Sequence, residues 1–222
     1  TDGWVQQIDR RGLLALTDPG STIRLETDAG RYAIRGTALC TIWPAVADDR
    51  LTEITADARR RVHVGSTRTM SEDPGYGIRQ LVDVALRALS PGINDPTTAQ
   101  DAIFHLGTVL VARLTSPPAP TAYGDDQDRH LLTPHALTDD DLAELALAEL
   151  RGATRNLPTV AIYLLQMIGL VVDAATANGG DDRVEAFRRH ARLIVDTVNA
   201  GDALDIDRRR VQDTFDNVFK AR

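Results

Sequence analysis

The stretch from Ala88 to Ala99 constrains the fold more strongly than any other part of the sequence, because its residues predict a rigid corner between two helices. Gly92 favours the left-handed backbone conformation that ends a helix. Asp95 followed by Pro96 is a typical helix start, with a carboxylate as N-cap and proline at the first helical position. Amphipathic patterns lie on both sides of the stretch, so the corner joins two helices that each bury one face.

The same corner is a candidate binding site. The polar side chains of Ser90, Asn94, Thr97 and Thr98, together with the amides of the helix start, can bind a small polar or anionic ligand. Asp95 argues against a bare anion, because its carboxylate already occupies these amides. A purely structural corner, satisfied by its own side chains, is the alternative interpretation.

The chain before this corner predicts a small β module over residues 1–47. Short alternating segments separated by turn residues are typical of strands in a small barrel or sandwich-like module. The predicted strands cover residues 3–9, 13–16, 21–27, 31–35 and 38–43.

Residues 48–222 predict a mainly helical domain, so the expected fold class is α+β. After a short helix over 48–58, a strand over 62–65 and a loop over 66–73, about six helices joined by short loops predict a bundle. The predicted helices begin near residues 74, 96, 138, 158, 181 and 205, and the Pro-rich, acidic segment 116–134 is expected to be a loop.

The longest apolar run, 157–172, is expected to be a buried central helix. It contains Pro158, Thr159, Tyr163 and Gln166, and it is shorter than the roughly 20 residues that a membrane span needs.

Composition narrows the function classes. A net charge of −7 argues against nucleic acid as a partner, because phosphate binding needs a basic face. Lys220 is the only lysine, which almost excludes a Schiff-base or phosphate-loop lysine, and Cys40 is the only cysteine, which excludes an intrachain disulfide. The five histidines lack ligand spacing, so neither a stable metal nor a cofactor is expected.

The run Arg59–Arg61 has two interpretations. It is either the solvated end of the helix over 48–58 or a contact with anionic lipid headgroups.

Several motifs together resemble one family. They are Ala88-Leu-Ser-Pro-Gly-Ile-Asn-Asp-Pro-Thr-Thr-Ala99, Gly3-Trp-Val-Gln-Gln-Ile-Asp9, Arg68-Thr69 followed by Asp73, and Gly77-Ile-Arg-Gln-Leu-Val-Asp-Val-Ala85. This set, dense over residues 1–115, resembles the DUF2254 family of predicted bacterial membrane proteins. Tyr76 stands where phenylalanine is expected.

The resemblance implies a context rather than a reaction. It implies a few transmembrane helices followed by this region, which would then be an extramembrane domain whose partners are its own transmembrane region and further copies of itself. Arg10 and Arg11 fit a position on the cytoplasmic face of the cell membrane, under the positive-inside rule. The family supplies no established reaction, cofactor or substrate.

The resemblance also raises the weight of eight polar residues as a ligand-binding set. They are Arg68, Asp73, Arg79, Asp83, Ser90, Asn94, Asp95 and Thr97. The first four are expected to form a charged network, which would need every member paired if it were buried.

Two functions follow as hypotheses. The first is a ligand-sensing or assembly domain of an integral membrane protein that is part of a channel or transporter. The second is a membrane-associated hydrolase or transferase, with Ser90 as nucleophile and Asp95 or His105 as its partner. Pro91 and the missing base-plus-orienter set count against the enzyme, so a non-enzymatic role is favoured.

Overall fold

The computed structural model describes residues 2–220 as an α+β protein, which confirms the predicted class. The strands are β1 (Gly3–Ile8), β2 (Thr22–Leu25), β3 (Tyr32–Ala33), β4 (Cys40–Trp43), β5 (Val62–Gly65), β6 (Ala122–Gly124) and β7 (His130–Leu132). The helices are α1 (Arg10–Leu14), α2 (Asp48–Arg61), α3 (Pro74–Ala88), α4 (Pro96–Leu114), α5 (Asp139–Ala153), α6 (Pro158–Ala177), α7 (Glu185–Asn199) and α8 (Asp205–Phe219).

The chain divides into two compact units that each use two segments. The first unit comprises Thr1–Tyr76 and Ala119–Leu137, and the second comprises Gly77–Pro118 and Thr138–Arg222. The boundary predicted after residue 47 lies inside the first unit, because α2 packs on α1 and β5, and β5 pairs with β1.

The first unit contains two small open sheets. In one sheet β1 lies between β3 and β5, and in the other the order is β4-β2-β7-β6. Neither sheet closes on itself within residues 2–220, so the predicted barrel is wrong. The two sheets instead share one hydrophobic cluster, which is centred on Val5, Ile8, Ile23, Leu25 and Leu131.

Two segments of this unit differ from their predicted structure. Half of the predicted strand 13–16 belongs to α1, because the Asp9 carboxylate caps this short helix by accepting from the Gly12 amide at 2.8 Å. The segment 116–134, predicted as a loop, contains the β6–β7 hairpin. Its turn is closed by Asp125, whose carboxylate accepts from the amide of Gln127.

The second unit is helical, and its core lies where α6 packs against α4, α7 and α8, while α5 packs against α7. The helix starts follow the predicted chemistry: Thr138 and Asp141 form a capping box on α5, and Pro158 begins α6. The predicted number of six helices is wrong for the chain, since the described residues contain eight, including α1 and α2 of the first unit.

Helix α6 holds the longest apolar run. Within the described part of the chain it is the one helix long and apolar enough to cross a membrane, with a mean hydropathy of 1.8 in its most apolar window. That window is 56% buried inside the protein, as in the core helix of a folded domain. Gly169 allows its close approach to α8, because a Cβ there would lie 2.3 Å from Val218 Cγ1.

Arg183 joins three parts of the second unit. Its Nε and Nη2 donate to the two carboxylate oxygens of Asp139 at 2.7 and 2.8 Å, and its Nη1 donates to the carbonyls of Leu114 and Ser116 at 2.6 Å. The guanidinium thus ties the end of α4 to the start of α5. The Asp139 carboxylate raises the pKa of Arg183 further above its ordinary value.

We expect Arg183→Ala to lower the free energy of unfolding by about 3 kcal/mol, because it leaves a half-desolvated Asp139 carboxylate and carbonyls of the α4 end without a donor. Urea denaturation measures this change. The matched control is Arg192→Ala, which breaks an exposed pair with Glu185 and should cost less than about 1 kcal/mol. Equal losses in the two variants would contradict the role assigned to Arg183.

His190 is a buried titratable group between α5 and α7. The side chain is 1% exposed, its Nε2 lies 3.1 Å from Glu144 Oε2, and its Nδ1 has no hydrogen-bond partner among the residues described. Burial lowers the pKa of His190; Arg151 and Arg189 add to this effect, and the Glu144 carboxylate opposes it.

The lowered pKa makes stability depend on pH. As the pH falls below about 6.5, the unfolded chain binds a proton before folded His190 does, so stability is lost with a slope of at most about 1.4 kcal/mol per pH unit. Denaturation curves between neutral and mildly acidic pH measure this slope. His190→Gln should flatten it, whereas His105→Gln, a change of an exposed histidine, should leave it unchanged.

Candidate functional site

Arg68 and Asp73 form the best-built polar pair of the first unit. Arg68 Nε donates to Asp73 Oδ2 at 2.6 Å, and the carboxylate is 4% exposed. The other carboxylate oxygen accepts from the amide of Tyr76 at 3.0 Å, so Asp73 also caps the start of α3. A buried carboxylate needs such a charged partner and such a donor.

Two aromatic rings hold the guanidinium of Arg68. Its Cζ lies 5.3 Å from the ring centroid of Trp4 and 5.1 Å from that of Tyr76. Tyr32 meets Trp4 edge to face, with the centroids 5.3 Å apart. Two cation–π contacts stabilise the guanidinium where the ion pair with Asp73 holds it.

The outer edge of the guanidinium is free. Arg68 is 28% exposed, and across residues 2–220 its terminal nitrogens Nη1 and Nη2 have no acceptor. The neighbouring hydroxyl of Thr69 is buried and has no partner in the same range. We refer to Arg68, Asp73, Trp4 and Tyr76 as the Arg68 site.

Close packing supports the Arg68 site from the β2–β3 turn. Gly30 has a φ of +83°, and a Cβ on it would lie 2.1 Å from Asp73 Oδ2. Glycine is therefore required both for the backbone conformation and for the approach to the carboxylate. Trp4, Gly30 and Tyr32 are absent from the predicted site set. The sequence signal that could have found Trp4 is its place in the motif over residues 3–9.

Arg79 and Asp83 form a second pair, in the second unit. Arg79 Nη2 lies 2.7 Å from Asp83 Oδ1, and the guanidinium also pairs with Glu149 of α5. The carboxylate of Glu149 raises the pKa of Arg79 most, and that of Asp83 adds to this effect. The structure therefore contains two pairs of the predicted network, one in each unit, and Glu149 is a partner that the sequence did not indicate.

Backbone hydrogen bonds close the corner between α3 and α4, and the residue with the left-handed conformation is not the predicted one. Asn94 adopts the left-handed conformation, with a φ of 48°, and Gly92 does not. The amide of Asn94 donates to the carbonyl of Ser90 at 2.9 Å, and the amide of Asp95 returns to the carbonyl of Ala88 at 2.7 Å. The expectation for Gly92 is wrong because the turn extends two residues further; asparagine is among the few residues that tolerate this conformation.

Three polar side chains of this corner, those of Ser90, Asp95 and Thr98, bond to the corner itself. Asp95 accepts from the amides of Thr97 and Thr98 at 3.1 Å and from the Thr98 hydroxyl at 2.6 Å. These hydrogen bonds lower the pKa of Asp95, the Thr98 hydroxyl most strongly. The Ser90 hydroxyl donates to the carbonyl of Arg87 at 2.7 Å. The geometry accounts for Ser90, Asp95 and Thr98 as caps of the two helix ends.

Comparison with known proteins gives the family. A model of the DUF2254 family, described as a predicted membrane protein, matches residues 1–169. The match covers more than half of the chain, which therefore belongs to the DUF2254 family, as its motifs indicated. No solved structure matches the chain.

The similar curated proteins are mycobacterial. One uncharacterized protein of Mycobacterium bovis and one of Mycobacterium tuberculosis are each 35% identical over 113 residues, which are 48% of this chain and 21% of theirs. An uncharacterized protein of a second Mycobacterium tuberculosis strain is 54% identical over 50 residues, 22% of this chain and 10% of its own. The chain thus spans about a fifth of the length of the first two relatives.

The turn geometry predicts that substitution by alanine is destabilising at Asn94 and nearly neutral at Gly92. Asn94→Ala should lower the free energy of unfolding by about 1 kcal/mol, because alanine tolerates the left-handed conformation poorly, while Asn94→Gly should be nearly neutral. Gly92→Ala should also be nearly neutral, since a Cβ there meets nothing within 4 Å. Chemical denaturation distinguishes these outcomes, and a larger loss at Gly92 than at Asn94 would refute the assigned turn.

Proposed function

We propose that this chain is an extramembrane sensing and assembly domain of a bacterial integral membrane protein, positioned on the cytoplasmic face of the cell membrane. The family description supports the membrane context. The observation that carries the sensing role is the Arg68 site, in which a guanidinium is immobilised and its outer edge is left without a partner.

The proposed ligand is a small polar anion with a carboxylate or phosphate group. The nitrogens Nη1 and Nη2 of Arg68 form a planar fork that matches two oxygens of such a group. Because Asp73, Trp4 and Tyr76 already fix the guanidinium, a ligand would pay little to order it. Partial exposure of Arg68 leaves room for entry.

The second part of the proposed role is assembly. The expected partners are the protein's own transmembrane region and further copies of the chain, in a channel or a transporter; nucleic acid and a stable metal are not expected partners. Light scattering on the purified chain tests self-association directly, and a mass equal to one copy at every concentration would count against it.

The alternative, a hydrolase or transferase at Ser90, has weaker support. The Ser90 hydroxyl donates to a backbone carbonyl, and the Asp95 carboxylate is saturated by helix-capping donors. A nucleophile needs a base within hydrogen-bond reach of its proton. The Ser90 hydroxyl and the Asp95 carboxylate do not form such a pair of nucleophile and base.

Arg68→Lys should abolish most of the ligand affinity while keeping the positive charge, because lysine lacks the planar fork and the stacking surface. Isothermal titration calorimetry with inorganic phosphate and with succinate as probes measures this. The loss of one charge-assisted hydrogen bond corresponds to a decrease in affinity of about tenfold or more.

The matched control is Arg11→Lys, which makes the same change at an exposed arginine of α1. It should bind both probes like the parent chain. Tyr76→Leu should keep the charge and weaken binding by loss of one stacking face. The proposal fails if the parent chain binds neither probe, or if the two lysine variants lose affinity equally.

A further inference from the structure

An open apolar groove lies in the first unit, apart from the Arg68 site. It runs between the β3–β4 connection and strand β4 on one side and α2 and β5 on the other, with a volume of about 980 Å³. Its apolar lining includes Ile34, Leu39, Ile42, Leu51, Ile54 and Val64. Ile34 is 60% exposed and Leu51 is 47% exposed, so the groove presents apolar surface to solvent.

The groove also carries two arginines that form no ion pair among residues 2–220, although the backbone amide of Arg35 donates to the Asp2 carboxylate at 2.6 Å. Arg35, in the β3–β4 connection, and Arg59, on α2, both line it. Across residues 2–220 neither side chain has an acidic partner within ion-pair distance. Asp48 is the one carboxylate in the lining, and it lies in the first turn of α2, where the helix dipole favours it.

The three arginines at the end of α2 differ in their contacts. Arg60 pairs with Asp57, and Arg61 pairs with Asp9 at 2.8 Å. Two of the three arginines are therefore used within the unit, and Arg59 is the member left on the groove. Of the two interpretations of the run, a contact with anionic lipid is the one that the position of Arg59 on an apolar groove supports.

We propose that this groove binds an anionic phospholipid, with one acyl chain along the apolar lining and the phosphate between Arg35 and Arg59. The pairing of an apolar floor with unneutralised cations is complementary to an anionic lipid, whereas a neutral apolar partner would leave both arginines unpaired. The volume lies at the upper end of the range of about 300–1,000 Å³ that ligand sites occupy. Membership of a family of predicted membrane proteins places such a lipid within reach.

The experiment is co-sedimentation of the full chain with vesicles of phosphatidylcholine alone or mixed with phosphatidylglycerol. The parent chain should bind the mixed vesicles and not the neutral ones. Arg35→Gln with Arg59→Gln should weaken binding about 10- to 30-fold, since a basic residue near an anionic surface contributes about 1 kcal/mol.

The matched control is Arg24→Gln with Arg31→Gln, which removes two exposed positive charges from the same unit outside the groove lining. It should bind like the parent chain. An equal loss in both double variants would mean general attraction between charges and would overturn the proposal, as would failure of the parent chain to bind.

A second pair of variants tests the acyl chain. Leu51→Gln should weaken vesicle binding, and Leu204→Gln, at an exposed leucine next to α8, should not. Inorganic phosphate should not displace the vesicles, because it supplies no acyl chain; full displacement would overturn the proposal. If light scattering instead shows a dimer that Leu51→Gln dissociates, the groove is an interface between copies and the lipid proposal fails.

The groove and the Arg68 site can be tested separately. Arg68 does not line the groove, so Arg68→Lys should keep vesicle binding even where it loses phosphate and succinate. Loss of vesicle binding in Arg68→Lys with a normal far-UV spectrum would contradict the assignment of the lipid to the groove.

Discussion

The buried carboxylate of Asp73 has to be neutralised and hydrogen-bonded, and the ways in which this is done organise much of the first unit. One oxygen accepts a hydrogen bond from Arg68, and Arg68 also packs on Trp4 of the first strand, so the 66–73 loop lies next to that strand. The other oxygen takes the amide of Tyr76 and so sets where α3 begins. The approach of Gly30 closes the remaining side. The Asp73 carboxylate thereby couples the 66–73 loop, the start of α3 and the turn at Gly30. A shift of any of the three would expose the carboxylate or leave it without a partner.

Features with a local cause could be predicted from the sequence, and features with a distant cause could not. The caps at Asp95 and Thr138 are encoded within a few residues, and the sequence predicts a helix start at both places. The β6–β7 hairpin depends on a parallel pairing with β2, whose partner lies far away in the chain. The aromatic partners of Arg68 likewise come from another strand. At the corner the prediction of Gly92 as the left-handed residue is wrong: glycine and asparagine both tolerate this conformation, and the backbone angle shows that Asn94 adopts it.

The distribution of satisfied and unsatisfied polar groups separates structural residues from candidate functional ones. Polar side chains of the second unit that the motifs emphasised are engaged: Arg79 with two carboxylates and Asp95 with three donors. In the first unit, two nitrogens of Arg68 have no acceptor among the described residues, and the side chains of Arg35 and Arg59 form no ion pair there. The sequence motifs alone do not distinguish residues with a structural role from residues that could bind a ligand. The count of donors and acceptors favours the β-containing unit as the place where a ligand or a lipid would act.

The split composition of the first unit has a consequence for the order in which the protein can mature on the ribosome. Strand β2 lies between β4 and β7, and Arg129, beside β7, donates to the carbonyl of Thr17, 112 positions earlier. Until the hairpin has been synthesised, β2 is an edge strand with unpaired backbone groups. The sheet that contains β2 therefore stays incomplete while α2, α3 and α4 are synthesised, and during that interval its free edge is open to pairing with the wrong strand.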